Sequence, residues 1–302
     1  MKKIHYLLSF IFIVTLTNCN NLNNKQEIAN NITNNISDSN SVNSTKLKRY
    51  LVKSGIITYK TSVSGKIMGS TISGSGTKNI YFKDWGAMEL NKEDNKKVTK
   101  MNILGQKKAD VVEKHTINKL DNGKSYSVDT KNKVIYLRRD PAMEMMKTFN
   151  DGDVVDPGKK MLESMGGKII GEEKVLGYTC ELWKIPGGKE WAYKGIALRL
   201  EMTVMGVKST MEATSAKFNI AVPDKYFELP DYPIKKEEGY QNDKEYTQDK
   251  AEMKKQAAKM NNMTFEQYKV MVQKNDPETR NMSDKELKMG YQIMKNMSKN
   301  MK

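Results

Sequence analysis

The chain has 302 residues and a net charge of +15, from 51 Lys and Arg against 36 Asp and Glu. No helix-turn-helix, aromatic RNA-binding signature or zinc knuckle accompanies that charge. It therefore points to anionic lipid or polyanion surfaces, or to a plain solvated face, and away from nucleic acid. Two cysteines (Cys19, Cys180) and two histidines (His5, His115) leave little material for thiol, imidazole or cofactor chemistry.

At the start, Lys2 and Lys3 precede an apolar run, Leu7 to Leu16, that is too short to span a bilayer comfortably. Leu16-Thr17-Asn18-Cys19 resembles the lipobox of bacterial lipoproteins. That resemblance implies a signal peptide over residues 1–18, diacylation of the Cys19 thiol and acylation of the new amino group. Several acyl chains give stable anchoring where one chain holds only marginally. Asn20 to Thr45 is dominated by Asn, Ser and Thr and cannot bury enough surface to fold. Residues 19–47 thus read as the lipidated cysteine and a tether, spanning about 25–30 Å as a flexible coil. With Cys19 acylated, Cys180 has no disulfide partner, and its place in a strand beside Leu182 predicts a buried, inert thiol.

Residues 48–235 read as an antiparallel β domain. Gly55 to Val63 is a β-branched strand. Lys66 to Ser73 and Thr77 to Asp84 follow, separated by Gly74-Ser75-Gly76, and the third run resumes at Trp85 to Leu90. Asn91 to Lys97 reads as a charged turn. Val98 to Leu104 and Lys107 to Leu120 read as two more strands, the latter with Ala109, Val111, Glu113, His115 and Ile117 on one face. Asp121-Asn122-Gly123 predicts a hairpin between this strand and Ser125 to Asp129, and Val134 to Arg138 follows.

The period then changes. Pro141 to Phe149 suits a short helix capped by Asp140, and Asp156 to Met165 a second, with Pro157 in its first turn. Met143, Met146, Phe149, Met161 and Leu162 on these segments are the candidates to plug or line an apolar cavity, because methionine fills irregular apolar space. Four strands joined by Gly and Pro turns come next. Thr179, Glu181, Trp183 and Ile185 share one face, opposite Tyr178, Cys180 and Leu182. Trp191 and Tyr193 share a face of the following strand. Leu198, Leu200, Met202 and Val204 alternate with Arg199, Glu201 and Thr203, and Met205-Gly206-Val207 turns into a run ending at Phe218. The prolines from Val222 to Pro233 are expected to end the sheet.

The fold class is thus mainly β (α+β): a curved antiparallel sheet or half-barrel, with a helical insertion on its concave side and a C-terminal helical hairpin. Tyr81-Phe82-Lys83-Asp84-Trp85-Gly86, Gly177 to Trp183, Ala192 to Leu198 and the ending Val222 to Pro230 resemble an uncharacterised bacterial envelope family. Its strand pattern is similar to the LolA/LolB-like half-barrels. Over about Gly55 to Pro233 the resemblance implies an open half-barrel, a place in the cell envelope at the outer membrane, and an acyl chain or lipoprotein as ligand.

Residues 236–302 form a Lys- and Met-rich helical extension. Thr264-Phe265-Glu266-Gln267 and Ser283-Asp284-Lys285-Glu286 match capping boxes that start two helices, with Asp276-Pro277 between them. In the last helix Leu287, Tyr291, Met294 and Met301 share a face beside Lys288, Lys295, Lys299 and Lys302. That pattern fits either a helix lying flat on an anionic membrane or one packed on its predecessor through Phe265, Tyr268 and Met271.

No catalytic constellation emerges. His115 alternates with core residues and has no Ser or Cys that the sequence places beside it. Asn150 to Asp156 lacks the oxygen-ligand spacing of a calcium loop. Met260, Met263, Met294, Met297 and Met301 offer thioethers to Cu(I) in principle, but spacings of three and four also describe ordinary helix packing. The sequence therefore predicts a membrane-anchored, non-enzymatic lipoprotein without cofactor or metal that binds a lipid or other apolar ligand. Its alternative is a structural module that presents the C-terminal helices to a protein or membrane partner.

Overall fold

The computed structural model describes residues 48–67, 70–103, 106–140, 157–204, 206–237, 254–275, 279–280 and 282–300. The first six strands are β1 (Gly55–Ile67), β2 (Ser70–Lys83), β3 (Met88–Ile103), β4 (Gln106–Asp121), β5 (Lys124–Asp129) and β6 (Val134–Arg139). Helix α1 (Pro157–Ser164) precedes β7 (Lys168–Val175), β8 (Tyr178–Ile185), β9 (Gly188–Tyr193), β10 (Ile196–Val204), β11 (Val207–Phe218) and the short β12 (Ile234–Lys236). Three helices follow: α2 over residues 254–262, α3 (Phe265–Asn275) and α4 (Asp284–Asn300).

All twelve strands lie in one curved, unclosed sheet of order β12-β6-β5-β4-β3-β2-β1-β11-β10-β9-β8-β7. Every pairing is antiparallel except that of β12 with β6. The pairing of β1 with both β2 and β11 joins two meanders, β1–β6 and β7–β11, into the half-barrel. Register shifts at Thr58/Tyr59, Ala197/Arg199 and Ile169/Gly171 bend it, as extra residues in one strand increase local twist. The bending brings Ile57, Tyr59, Ile80 and Phe82 from β1 and β2 into one core with Cys180, Leu182, Trp191 and Leu198 from β8–β10.

Several strand boundaries differ from those read in the sequence. Gly74-Ser75-Gly76 does not break a strand but lies inside β2. A Cβ on Gly76 would fall 2.3 Å from the Asp94 carbonyl oxygen and 1.9 Å from Asn95 Oδ1, so the glycine serves close approach rather than a turn. Asn91 to Lys97 is likewise not a turn but the middle of β3. Its charges suit a strand because they pair across to β4, with Lys96 Nζ 2.9 Å from Glu113 Oε1 and Asp94 against His115. Trp85 leaves the strand in a short 3₁₀ turn, Asp84–Gly86, instead of extending it. The edge strand β7 carried no alternation to reveal it, since seven of its eight residues are exposed.

The prolines after Val222 interrupt pairing without ending the sheet. Residues 220–233 run back over the outside, where Tyr226 stacks on Tyr81 with ring centres 4.6 Å apart and Phe227 is buried. Leu90, paired with Tyr81, is fully buried here. Ile135 then donates its amide to Pro233 O at 2.9 Å, and β12 extends the far edge. At the end where β1 begins, Glu89 accepts from Arg49 Nη1 at 3.0 Å and from the Tyr50 hydroxyl. Burial works against the Arg49 charge, yet the Glu89 carboxylate holds the guanidinium firmly protonated; burial and the same carboxylate push the Tyr50 phenol up.

Both capping boxes form. Thr264 N donates to Gln267 Oε1 at 2.9 Å, and Ser283 N to Glu286 Oε2 at 2.8 Å. The apolar residues of α4 are shared between two neighbours. Leu287, Tyr291 and Met294 pack with Tyr268 and Val272 of α3, and Ile293, Met297 and Met289 pack on Met165 beside α1. The stripe that a membrane surface would need is therefore covered by protein. Lys295 turns inward as well, 2.6 Å from Tyr291 Oη, and Lys288 lies 5.3 Å from the Phe265 ring centre.

Candidate functional site

The strands β8 and β9 set the geometry. Their register pairs Glu181 with Ala192 and Trp183 with Glu190, so alternation places all four side chains on one face. Cys180 and Leu182 enter the main core from the other face of β8. Helix α1 lies over the Trp183 face, opposite the enclosed core and so not on the concave side expected for the insertion, with Pro157 in its first turn and Gly166 at φ +88 just beyond its end. Leu162, one of the predicted apolar candidates, packs on Trp183 and Ala192 with Met165 and Ile185. Met161, another candidate, is half-buried on the same helix. Cys19, Met143, Met146 and Phe149 lie outside the described residues, as does Asn150 to Asp156.

Beneath α1 a cavity of about 20 Å³ is lined by Gly158, Lys159, Leu162, Glu181, Trp183 and Glu190. That volume holds one water molecule, not an acyl chain. Glu181 accepts from Trp183 Nε1 at 3.1 Å and from Lys159 Nζ at 3.4 Å, and the Lys159 ammonium lies 5.8 Å from the Trp183 ring centre. Burial raises the Glu190 carboxyl to about 7, because removing water from a carboxylate favours its neutral form. Burial pushes the Tyr59 phenol of the core up, with smaller contributions from Tyr50, Glu89 and, last, Glu190. The sequence reading did not single out Glu190. Alternation with Trp191 placed it on the far face of β9, but nothing local said that a helix covers that face.

The edge strand borders this site. Ile169 pairs with Trp183 in the β7–β8 register, yet it is 44% exposed, and its neighbour Ile170 is 49% exposed. Trp191 Nε1, on the opposite face, reaches Glu173 of β7 at 2.7 Å.

The remaining candidates separate. Cys180 is fully buried, its thiol donates toward Tyr178 O at 3.5 Å, and burial raises it further from the reactive thiolate. His115 is exposed on β4 beside Asp94, and six strands lie between β4 and β8, so no Cys180–His115 pair exists. Of the five methionines, Met260, Met263 and Met294 lie in one apolar cluster and Met297 in another, and Met301 lies outside the described residues. Among the described residues no cluster of three His, Cys, Asp or Glu side chains could hold a metal ion, and no helix is long and apolar enough to cross a membrane.

No family model matches the chain, and no curated protein matches it. Among solved structures it is similar to an uncharacterised conserved protein from Thermus thermophilus, at 8% identity, covering 60% of this chain and 91% of that one with a TM-score of 0.33. A β-barrel-like protein of the DUF1849 family from Brucella abortus matches at 11% identity, over 57% of this chain and all of that one, with a TM-score of 0.29. LprF from Mycobacterium bovis matches at 11% identity, over 58% and 90%, with a TM-score of 0.24. These values are too low to carry a function to this chain.

Proposed function

We propose that this protein is a non-catalytic lipoprotein of the bacterial envelope, anchored through Cys19, that holds an apolar ligand such as a lipid acyl chain. The ligand lies against the open β7 side of the sheet, with α1 as its neighbour. One observation carries this reading: Ile169 and Ile170 stand about half exposed on an unpaired edge, beside the Trp183 platform. Apolar side chains on an open strand edge are an aggregation hazard unless something covers them. The lipobox motif supports the anchor, and the half-barrel resemblance supports an envelope location, with the outer membrane as the proposed one.

A module that merely displays its C-terminal helices is favoured less, because α4 spends its apolar side chains on α3 and α1. Native mass spectrometry of the full chain, purified in detergent from its host membrane, tests the proposal. A co-purifying lipid is expected, in addition to the covalent acyl mass, and it should be lost in Ile169→Ser/Ile170→Ser. Both residues are exposed, so that variant should keep its fold. A folded wild-type protein that carries no lipid under any extraction overturns the reading.

A further inference from the structure

We propose that the free half of β4 pairs antiparallel with the same strand of a second copy of this chain, joining two sheets edge to edge about a twofold axis at Val112. β4 has 16 residues, yet β5 pairs only with Ile117 to Asp121. Among the described residues no strand lies against Gln106 to Thr116 on the side away from β3. Every residue from Lys108 to Glu113 is exposed. Val111 and Val112, which alternation sends to opposite faces, are 53% and 43% exposed, so both faces are bare as well as the edge. An open strand with apolar side chains is a template for another strand.

The side chains select the occupant. A twofold axis normal to the sheet sets one β4 antiparallel to its copy, with both copies showing the same face. Centred on Val112, it places Asp110 opposite Lys114 on both sides of the axis, Lys108 opposite Thr116 and Val112 opposite its copy. No like charges meet. Centred on Val111, it would set Lys108 against Lys114; on Glu113 or Asp110, it would set that carboxylate against its own copy. The charges that commonly keep strand edges apart thus single out one register here. Lys114 already has a contact within its own chain. Its ammonium carries three donors, so Asp110 of the second copy adds to that contact and need not replace it.

Seven strands separate β4 from β7, so this contact is independent of the apolar ligand proposed above. Sedimentation equilibrium of the full chain in density-matched detergent tests it. The mass should rise toward that of two chains as protein concentration is raised. Asp110→Lys, at an exposed position, should weaken association about tenfold, because it sets two lysine pairs across the axis.

Cysteine substitutions then read the register, since Cys180 is buried. Val112→Cys should cross-link to its own copy under mild oxidation, because the two positions lie directly opposite. Val111→Cys should react about tenfold more slowly, as its copies stand diagonally about 8 Å apart, beyond disulfide reach. Lys108→Cys, far from its copy in this register, gives the rate of chance collision. A chain that stays monomeric, an Asp110→Lys variant that associates as the wild type does, or Val111→Cys cross-linking as fast as Val112→Cys overturns the proposal.

Discussion

Trp191 Nε1 donates to Glu173 Oε2 at 2.7 Å, reaching across β8 to fasten the edge strand to the core. The indole is 4% exposed, so its donor has little access to water once the carboxylate is gone. Glu173→Ala should destabilise the protein by about 1–3 kcal/mol, the cost of an unsatisfied buried donor. Glu173→Gln should recover most of it, because the amide oxygen still accepts. Urea unfolding checks the amount, and amide exchange in β7 should rise in the alanine variant alone.

Gly76 tests whether the glycine pair in β2 serves close packing. An alanine there would set its Cβ 2.3 Å from the Asp94 carbonyl oxygen, and backbone cannot give way cheaply. The expected loss is about 2 kcal/mol, within the range for overpacking. Adding Asn95→Ala removes the 1.9 Å clash with Oδ1 but should restore only part of the loss, because the carbonyl stays. It also removes the acceptor of the Thr61 hydroxyl. Full recovery in the double variant would show that the side chain alone sets the spacing.

Glu190 gives the stability a pH dependence of definite sign. Its carboxyl is held near 7 in the fold and titrates near its ordinary 4.5 when unfolded. The folded state therefore binds more protons between those values, and stability falls as pH rises through that window. The contribution is fully present below about pH 4.5 and lost above about pH 7, amounting to about 3 kcal/mol. Glu190→Gln should flatten this part of the profile, since a neutral amide has no charge to desolvate. An unchanged slope from pH 5 to 7 in the variant would place the titration elsewhere.

The capping boxes fix where α3 and α4 start. Thr264 Oγ1 accepts from Gln267 N, and Ser283 Oγ from Glu286 N, each at 3.3 Å. Thr264→Ala and Ser283→Ala should each cost about 1 kcal/mol. The two losses should nearly add, as the caps share no partner. Thermal melts of the single and double variants measure this directly.

Packing decides what α4 can do. Its Gly290 lies beneath the Tyr268 hydroxyl, which would sit 2.9 Å from an added Cβ. Gly290→Val should separate α3 from α4 and lower stability by about 1–3 kcal/mol. Because Tyr268 is 3% exposed, its ring cannot swing out without leaving the hairpin core. Binding of the full chain to anionic vesicles should increase in this variant, as Leu287 and Met294 become available. Unchanged vesicle binding with a loosened hairpin would mean that those side chains have no affinity for the surface.

Much of this protein was legible residue by residue. Alternation assigned Cys180 and Leu182 to one face of β8 and Trp183 to the other, and Asn122-Gly123 marked a hairpin whose positive φ values those residues tolerate. Thr264 and Ser283 announced their helices, because a cap is satisfied within four residues of chain. Such signals act over a single turn or strand, and the sequence states them directly. Only the tertiary structure decided that Gly76 lies inside a strand, that Asn91 to Lys97 is paired, and that the chain returns past Pro233 to join β6. Each depends on a partner far along the chain: Asn95 for Gly76, Glu113 for Lys96, and Ile135 for Pro233. The same holds for Glu190, a charged residue in an alternating strand until α1 closes over its face and leaves it half-buried.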